Sequence, residues 1–152
     1  MYLLEREQEL AVSCDELWSF IATPANLNLL TPPQLQFQID SELPERMYSG
    51  LLIHYRISIP HFGTWRWLTE IKHIHEGVSF VDEQRLGPYR FWYHEHRLEA
   101  VSATRTRMLD RVTYALPFGP VGAAVHRLSV KAMLTEIFAY RRKKLVELYP
   151  EN

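Results

Sequence analysis

Residues 89–101, YRFWYHEHRLEAV, alternate charged side chains with apolar, aromatic or imidazole side chains. From Phe91 onward, the charged residues of this stretch share one parity: Glu95, Arg97 and Glu99. The opposite parity carries Trp92, His94, His96 and Leu98. Because successive side chains of a strand point to opposite faces, this pattern predicts a β-strand whose charged face meets solvent. Both histidines are therefore predicted to lie on the interior face.

Similar runs lie on both sides of this strand. Between residues 35 and 117, turn-bounded segments are rich in β-branched and aromatic residues: LQFQI, LLIHYRISI, TWRWLTEIKHIH, VSFVDEQRL and TRTRMLDRVTYAL. Such runs are typical of strands, and Gly77 and Gly87 suit the connections between them. Residues 2–12 carry a glutamate at every second position from Glu5 to Glu9, which predicts one further strand. The pattern predicts seven antiparallel strands.

Helical spacing is confined to two parts of the chain. Ser13 and Glu16 form a capping box ahead of an apolar run, and ANLNLL predicts a second short helix that ends at Pro32. After Pro117 the spacing is helical again, with one stripe containing Val130, Leu134, Ile137, Phe138, Arg141, Leu145 and Leu148. We therefore expect an α+β fold in one domain spanning residues 1–152. A seven-stranded antiparallel sheet would curl around a long C-terminal helix, with two short helices between strands 1 and 2.

Composition narrows the classes of partner. The formal net charge of −1 gives no overall attraction to nucleic acid or to an anionic membrane, so any such partner must be recognised locally. The basic run 141–144 near the end of the long helix is predicted to be solvated and to complement the helix dipole. The single cysteine, Cys14, cannot form an intrachain disulfide, and charges close to Met1 argue against a signal peptide. We expect a cytoplasmic protein with no integral membrane segment and no nucleic-acid partner.

The strand parities also predict which side chains line the space between sheet and helix. The interior set consists of Trp65, Trp67, Thr69, Ile71, His73, Phe80, Asp82, Gln84, Leu86, Trp92, His94, His96, Met108, Asp110, Val112, Tyr114 and Leu116. A four-residue connection at Gly87 would set Asp82 opposite His94, and a short turn after Val101 would bring Asp110 near that histidine. Arg6 and Gln8 of the first strand could complete this network. Unpaired buried polar groups are costly, so such groups must pair with one another, hold water or bind a ligand.

Three stretches together resemble the START-like, helix-grip superfamily, also called SRPBCC. They are DELWSFIATPANLNLLTP, FVDEQRLGPYRFWYHEHRLEA, and DRVTYALPFGPVG with IFAYRRKKL. The likeness is to small bacterial members similar to polyketide cyclases and coenzyme Q-binding proteins. It implies a sheet that grips the long helix around a tunnel for a hydrophobic or amphipathic small molecule. It implies no reaction, because the fold hosts both binders and enzymes.

Two hypotheses share the expected cavity. The first is binding of a lipid, an isoprenoid quinone or an aromatic polyketide without catalysis. Its expected ligand-binding residues are Trp65, Trp67, Thr69, Phe80, Asp82, Gln84, Trp92, His94, His96, Asp110, Tyr114, Leu134 and Phe138. The second is a cyclase, hydratase or isomerase that moves a proton with an imidazole and carboxylate pair from His94, His96, Asp82 and Asp110.

Two further hypotheses are weaker. The H-x-H pairs His73/His75 and His94/His96 could hold a metal, but a strand separates them, so we expect no metal and no cofactor. A protein-binding role for the long helix or for residues 60–64 is the remaining alternative, and no sequence feature favours it.

Overall fold

Seven antiparallel strands form one sheet in the order β1-β7-β6-β5-β4-β3-β2 in the computed structural model, which describes residues 1–150. The strands are β1 Tyr2–Leu10, β2 Gln38–Ile39, β3 Leu52–Ile59, β4 Gly63–His75, β5 Ser79–Leu86, β6 Phe91–Ser102 and β7 Arg105–Ala115. Strands β2 to β7 form a meander, and β1 pairs with β7 along its whole length. The predicted strand number and pairing are confirmed.

The helices also follow the prediction. Helix α1, Cys14–Ile21, begins where the Glu16 amide donates to Ser13 Oγ at 3.3 Å, and 3₁₀ helices follow at Pro24–Leu30 and Pro33–Leu35. The C-terminal helical segment runs without a break through α2, Gly119–Val125, a π-helical turn, His126–Val130, and α3, Lys131–Leu148. The architecture is therefore the expected α+β helix-grip fold.

The helix buries one stripe against the sheet, and hydrophobic residues form two clusters there. One cluster joins α1 to the end of α3 and includes Leu17, Trp18, Met108 and Leu145. The other lies beneath the middle of the helix and includes Trp67, Tyr89, Trp92, Val112, Tyr114, Val130, Leu134 and Phe138. The predicted helical stripe is buried at Val130, Leu134, Phe138, Arg141 and Leu145, half-buried at Ile137, and exposed at Leu148, the last residue of α3.

Three of the predicted interior positions are exposed instead, two of them at irregularities in β4 and β5 and the third at the β3–β4 hairpin. The register shifts between Lys72 and His75, and His73 adopts a positive φ of 52°, so His73 is exposed and Ile74 packs on the core instead. A second shift occurs between Leu68 and Thr69, beyond which Leu86 is exposed. Trp65 is 40% exposed, and its indole N–H donates to the Phe62 carbonyl in the β3–β4 hairpin.

Candidate functional site

A cavity of about 180 Å³ lies between the concave sheet, the 3₁₀ helix Pro24–Leu30 and helix α3. Nine of the predicted ligand-binding residues line it: Trp67, Thr69, Phe80, Asp82, Trp92, His94, His96, Leu134 and Phe138. Most of the remaining wall is aliphatic or aromatic. Alternation along β4, β5 and β6 thus brings residues far apart in sequence to one apolar space.

Four predicted residues do not line this cavity. Trp65 lies at the hairpin, as described above. The Gln84 side chain instead ties down the β5–β6 connection, donating to the Tyr89 carbonyl at 2.6 Å and accepting from the Tyr89 amide at 3.1 Å. Tyr114 is buried but is hydrogen-bonded to His126 Nε2 at 2.8 Å. Asp110 lies behind the cavity wall, where it contacts the histidines.

Two histidines and two aspartates form a cluster on one wall, in which His94, His96 and Asp110 are buried and Asp82 is half-buried. Asp82 pairs with His94 across β5 and β6, and Asp110 pairs with His96 across β6 and β7. The predicted meeting of Asp82, His94 and Asp110 is confirmed, and His96 joins them. His94 Nε2 is 2.9 Å from Asp110 Oδ1, and His96 Nε2 is 2.6 Å from Asp82 Oδ2. The remaining nitrogens lie 3.2 Å from a carboxylate oxygen, His94 Nδ1 from Asp82 and His96 Nδ1 from Asp110. Each imidazole is therefore held between two carboxylates.

Helix α3 completes the cluster with Arg141. Its Nη2 atom is 3.3 Å from His96 Nδ1 and 3.5 Å from Asp110 Oδ1, and the residue is only 9% exposed. The prediction of a solvated Arg141 is thus wrong for this residue, although its neighbours Arg142 and Lys143 are exposed. The expected helpers Arg6 and Gln8 bond elsewhere, to the carbonyls of Glu5 and Arg142. The burial of Arg141 could have been predicted from its position in the apolar stripe of the helix.

The cluster is electrostatically self-compensating. Burial would raise the pKa of Asp82, but the charge of His94 and hydrogen bonds from both histidines hold it well below its usual value. Burial acts likewise on Asp110, yet Arg141 and the histidines lower its pKa well below the ordinary value. For His94, burial would lower the pKa, but the two carboxylates outweigh this effect and raise it. The positive charges of Arg141 and of a protonated His94 would offset the negative charges of the two carboxylates.

Asp82, His94 and His96 also have the spacing of a metal site, since one ligand atom from each lies within 4.8 Å of the others. The guanidinium of Arg141 next to His96 opposes a divalent cation there, and so does the raised pKa of His94. The second H-x-H pair is not near this group, because His73 and His75 are exposed at the far end of β4. The geometry favours hydrogen bonding over metal coordination.

Part of the cavity wall was not predicted. It comes from the 3₁₀ helices, from the interior face of β3 and from the β5–β6 connection: Pro24, Leu27, Leu30, Leu35, Ile53, Tyr55, Ile57, Ile59 and Tyr89. Alternation in LLIHYRISI contained the signal for β3, whereas the packing of the 3₁₀ segment depends on tertiary structure. A second cavity of about 160 Å³ lies on the β1 side of Phe138 and Arg141, and Asp110 lines it.

The fold is that of START superfamily proteins, as comparisons with solved structures show. No protein-family model matches the sequence, and no curated protein matches it significantly. A START superfamily protein of Mycobacterium smegmatis superposes with a TM-score of 0.70 at 12% identity, over 97% of this chain and 99% of that one. Zhui aromatase/cyclase from Streptomyces sp. R1128 gives 0.73 at 13% identity, over 96% and 92%. A protein of Chromobacterium violaceum gives 0.72 at 10% identity, over the full length of both chains.

The length and hydropathy of the helices bear on whether the chain could cross a membrane. Among residues 1–150, no helix combines the length and the hydropathy that crossing a bilayer would need.

Proposed function

We propose that the protein binds a hydrophobic or amphipathic small molecule in the cavity between the sheet and helix α3. The observation that carries this proposal is an apolar cavity with a single charged cluster in its wall. Small-molecule sites are typically concave and largely apolar, with a few polar groups that orient the ligand. The classes that suit this cavity are a lipid, an isoprenoid quinone and an aromatic polyketide.

The aromatic wall favours a ligand with a flat or elongated apolar body. Trp67 packs edge-on against Trp92 at 5.5 Å between centroids and stacks with Tyr55 at 5.6 Å. Phe80 stacks on His96 at 4.2 Å, so an apolar surface continues up to the charged cluster. Burial of apolar ligand surface here would supply most of the binding free energy, roughly 25 cal/mol per Å².

The polar wall favours a ligand that carries hydrogen-bond acceptors. Trp67 Nε1 and Arg141 Nε are buried donors without a partner among the described residues, and both side chains line the cavity. A buried donor left unpaired costs about 1 to 3 kcal/mol, so an acceptor oxygen of the ligand would be stabilised there. Carbonyl oxygens of a quinone, a polyketide or a lipid ester meet this requirement.

Ligand binding in this cavity can be tested with a substitution on helix α3 that places a larger side chain in the cavity. Ile137 is half-buried and lines the cavity, whereas the adjacent Glu136 is exposed on the same helix. We expect Ile137→Trp to reduce the affinity for an environment-sensitive hydrophobic dye by at least about tenfold, and Glu136→Trp to leave it unchanged. Equal effects of the two variants would contradict binding in this cavity.

A second candidate function is proton-transfer catalysis of the cyclase, hydratase or isomerase kind. The observation that favours it is the contact of His94 and His96 with Asp82 and Asp110 beside the cavity. An imidazole oriented by a carboxylate can act as a general acid or base, with a contribution of about 10²- to 10⁴-fold. Unchanged turnover of a carbonyl substrate in both His94→Gln and His96→Gln would eliminate this candidate.

A further inference from the structure

Exposed apolar side chains are concentrated at one end of the sheet. Tyr2 of β1 pairs with Tyr114 of β7, Phe91 of β6 pairs with Ala115, and Leu68 of β4 pairs with Leu86. These pairings place the β3–β4 hairpin, the β5–β6 connection and the start of helix α2 at the same end. Three segments that are distant in sequence therefore border one surface.

This surface contains an apolar rim, which we define as Phe62, Trp65, Leu86, Phe118, Val121 and Leu128. Apart from Met1, the four most exposed large hydrophobic side chains of residues 1–150 all belong to the rim: Leu128 at 83%, Phe118 at 80%, Leu86 at 66% and Val121 at 65%. Single exposed hydrophobics are ordinary, whereas several of them at one end of a sheet favour an interaction surface.

The same three segments carry charge of one sign. Residues 57–68, 86–91 and 116–131 contain Arg66, Arg90, Arg127 and Lys131, here called the rim cations, and no aspartate or glutamate. All four rim cations are exposed, and none forms a salt bridge within the described part of the chain. The nearby carboxylate of Asp40 forms its salt bridge with Arg56, at 2.8 Å, and not with Arg66. Arg56, and to a smaller extent Arg66, lower the pKa of Asp40. The whole chain has a net charge of −1, so the positive charge of these three segments is separated from the acidic residues of the rest of the chain.

The rim lies at an end of the ligand cavity. Ile57 and Ile59 at the end of β3, together with Tyr89 of the β5–β6 connection, line the cavity at this end. The helix start that carries Phe118, Val121 and Leu128 is held to the sheet by His126, which stacks on Tyr2 at 3.5 Å between centroids. The exposed apolar side chains are therefore presented from a fixed position beside the cavity.

We propose that the apolar rim and the rim cations form a surface that docks on a lipid bilayer containing anionic lipids. Apolar side chains would enter the boundary between headgroups and acyl chains, while the rim cations would meet the negative surface potential. The three segments that carry the apolar rim complement a negative surface, because each contributes at least one cation and none contains an aspartate or glutamate that would repel it. The docked protein would direct this end of its cavity toward the lipid.

The test is flotation of the full-length protein with vesicles of phosphatidylcholine, with and without about 30% phosphatidylserine. We expect binding that requires phosphatidylserine and weakens at high salt. Each rim cation should contribute about fivefold to the partition coefficient, so Arg66→Gln/Arg90→Gln/Arg127→Gln should lower it about a hundredfold. Phe118→Ser/Leu128→Ser should lower it at least about tenfold.

The matched control is Leu52→Ser/Val101→Ser, which removes two side chains of 47% and 45% exposure from the opposite end of the sheet. This variant should float like the unsubstituted protein. Equal loss in the control, or no flotation of the unsubstituted protein, would overturn the proposal. Loss of a dimer in Phe118→Ser/Leu128→Ser without a change in flotation would identify an interface between copies instead. Dye binding in solution should persist in every rim variant, which separates this proposal from the cavity function.

Discussion

Arg141 and the two histidines together explain how two carboxylates stay ionised beneath the helix, with Arg141 acting on Asp110 and the histidines on both. Desolvation of Asp82 and Asp110 opposes their ionisation, and the guanidinium and the two histidines supply the compensating charge and hydrogen bonds. Removing one partner of such a buried set usually costs more than the set contributes, because the other charges remain without water. The stability of the fold should therefore depend on pH through Asp82, Asp110 and His94.

The imidazole of His94 should make the stability of the fold decrease at high pH. Its pKa is raised in the folded protein, so its contribution is complete below its unfolded pKa of about 6.5 and is lost as the pH rises through the folded value. The lowered pKa values of Asp82 and Asp110 act oppositely, with stability present above about pH 4 and lost in acid. The thermal midpoint should therefore be highest between about pH 4 and 6.5 and decline above that range.

Thermal unfolding of His94→Gln across pH 5 to 9 provides the comparison. Glutamine keeps a hydrogen-bonding group but cannot become charged in this range, so the decline above pH 6.5 should flatten by several degrees. His54→Gln serves as the control, since His54 is exposed on β3. An identical decline in His94→Gln and in the unsubstituted protein would show that His94 is not the titrating group.

At the scale of elements, alternation predicted the central strands because their two faces differ sharply in polarity. Strand β6 follows its period of two without interruption through His94 and His96, and both residues are 4% exposed. The same rule failed for His73, since a β-bulge reverses parity and depends on the backbone rather than on side-chain polarity. The prediction for Arg141 on the long helix was wrong for another reason. Its position in the apolar stripe indicated burial, whereas its charge indicated exposure to solvent. Cavity residues from the 3₁₀ helices depend on packing that no local period encodes.

A buried hydrogen bond attaches the start of the long C-terminal helical segment to the sheet. Tyr114 Oη and His126 Nε2 are hydrogen-bonded at 2.8 Å, and both side chains are buried. Tyr114→Phe and His126→Phe should each lower the free energy of unfolding by about 1 to 3 kcal/mol, because each leaves a polar partner buried. The double variant should cost clearly less than the sum of the two. Strict additivity in denaturant unfolding would contradict this coupling.

The two ends of the cavity differ in chemistry: the charged cluster lies toward one end, and the apolar rim borders the other. Arg141 lies thirteen residues beyond Leu128 along the helix, which corresponds to roughly 20 Å. An amphipathic ligand would place its acceptor oxygens at the unpaired donors of Arg141 and Trp67, with its apolar body against Trp92 and the aliphatic wall. Its entry would then be through the end of the sheet that the rim surrounds.

The most direct measurement is native mass spectrometry of the protein purified from its own host, followed by extraction and identification of the released molecule. We expect a near-stoichiometric apolar or amphipathic small molecule with at least one acceptor oxygen. The molecule should be absent from Ile137→Trp and retained by Glu136→Trp. Protein that carries no small molecule from its host, or that releases equal amounts from both variants, would contradict the central claim.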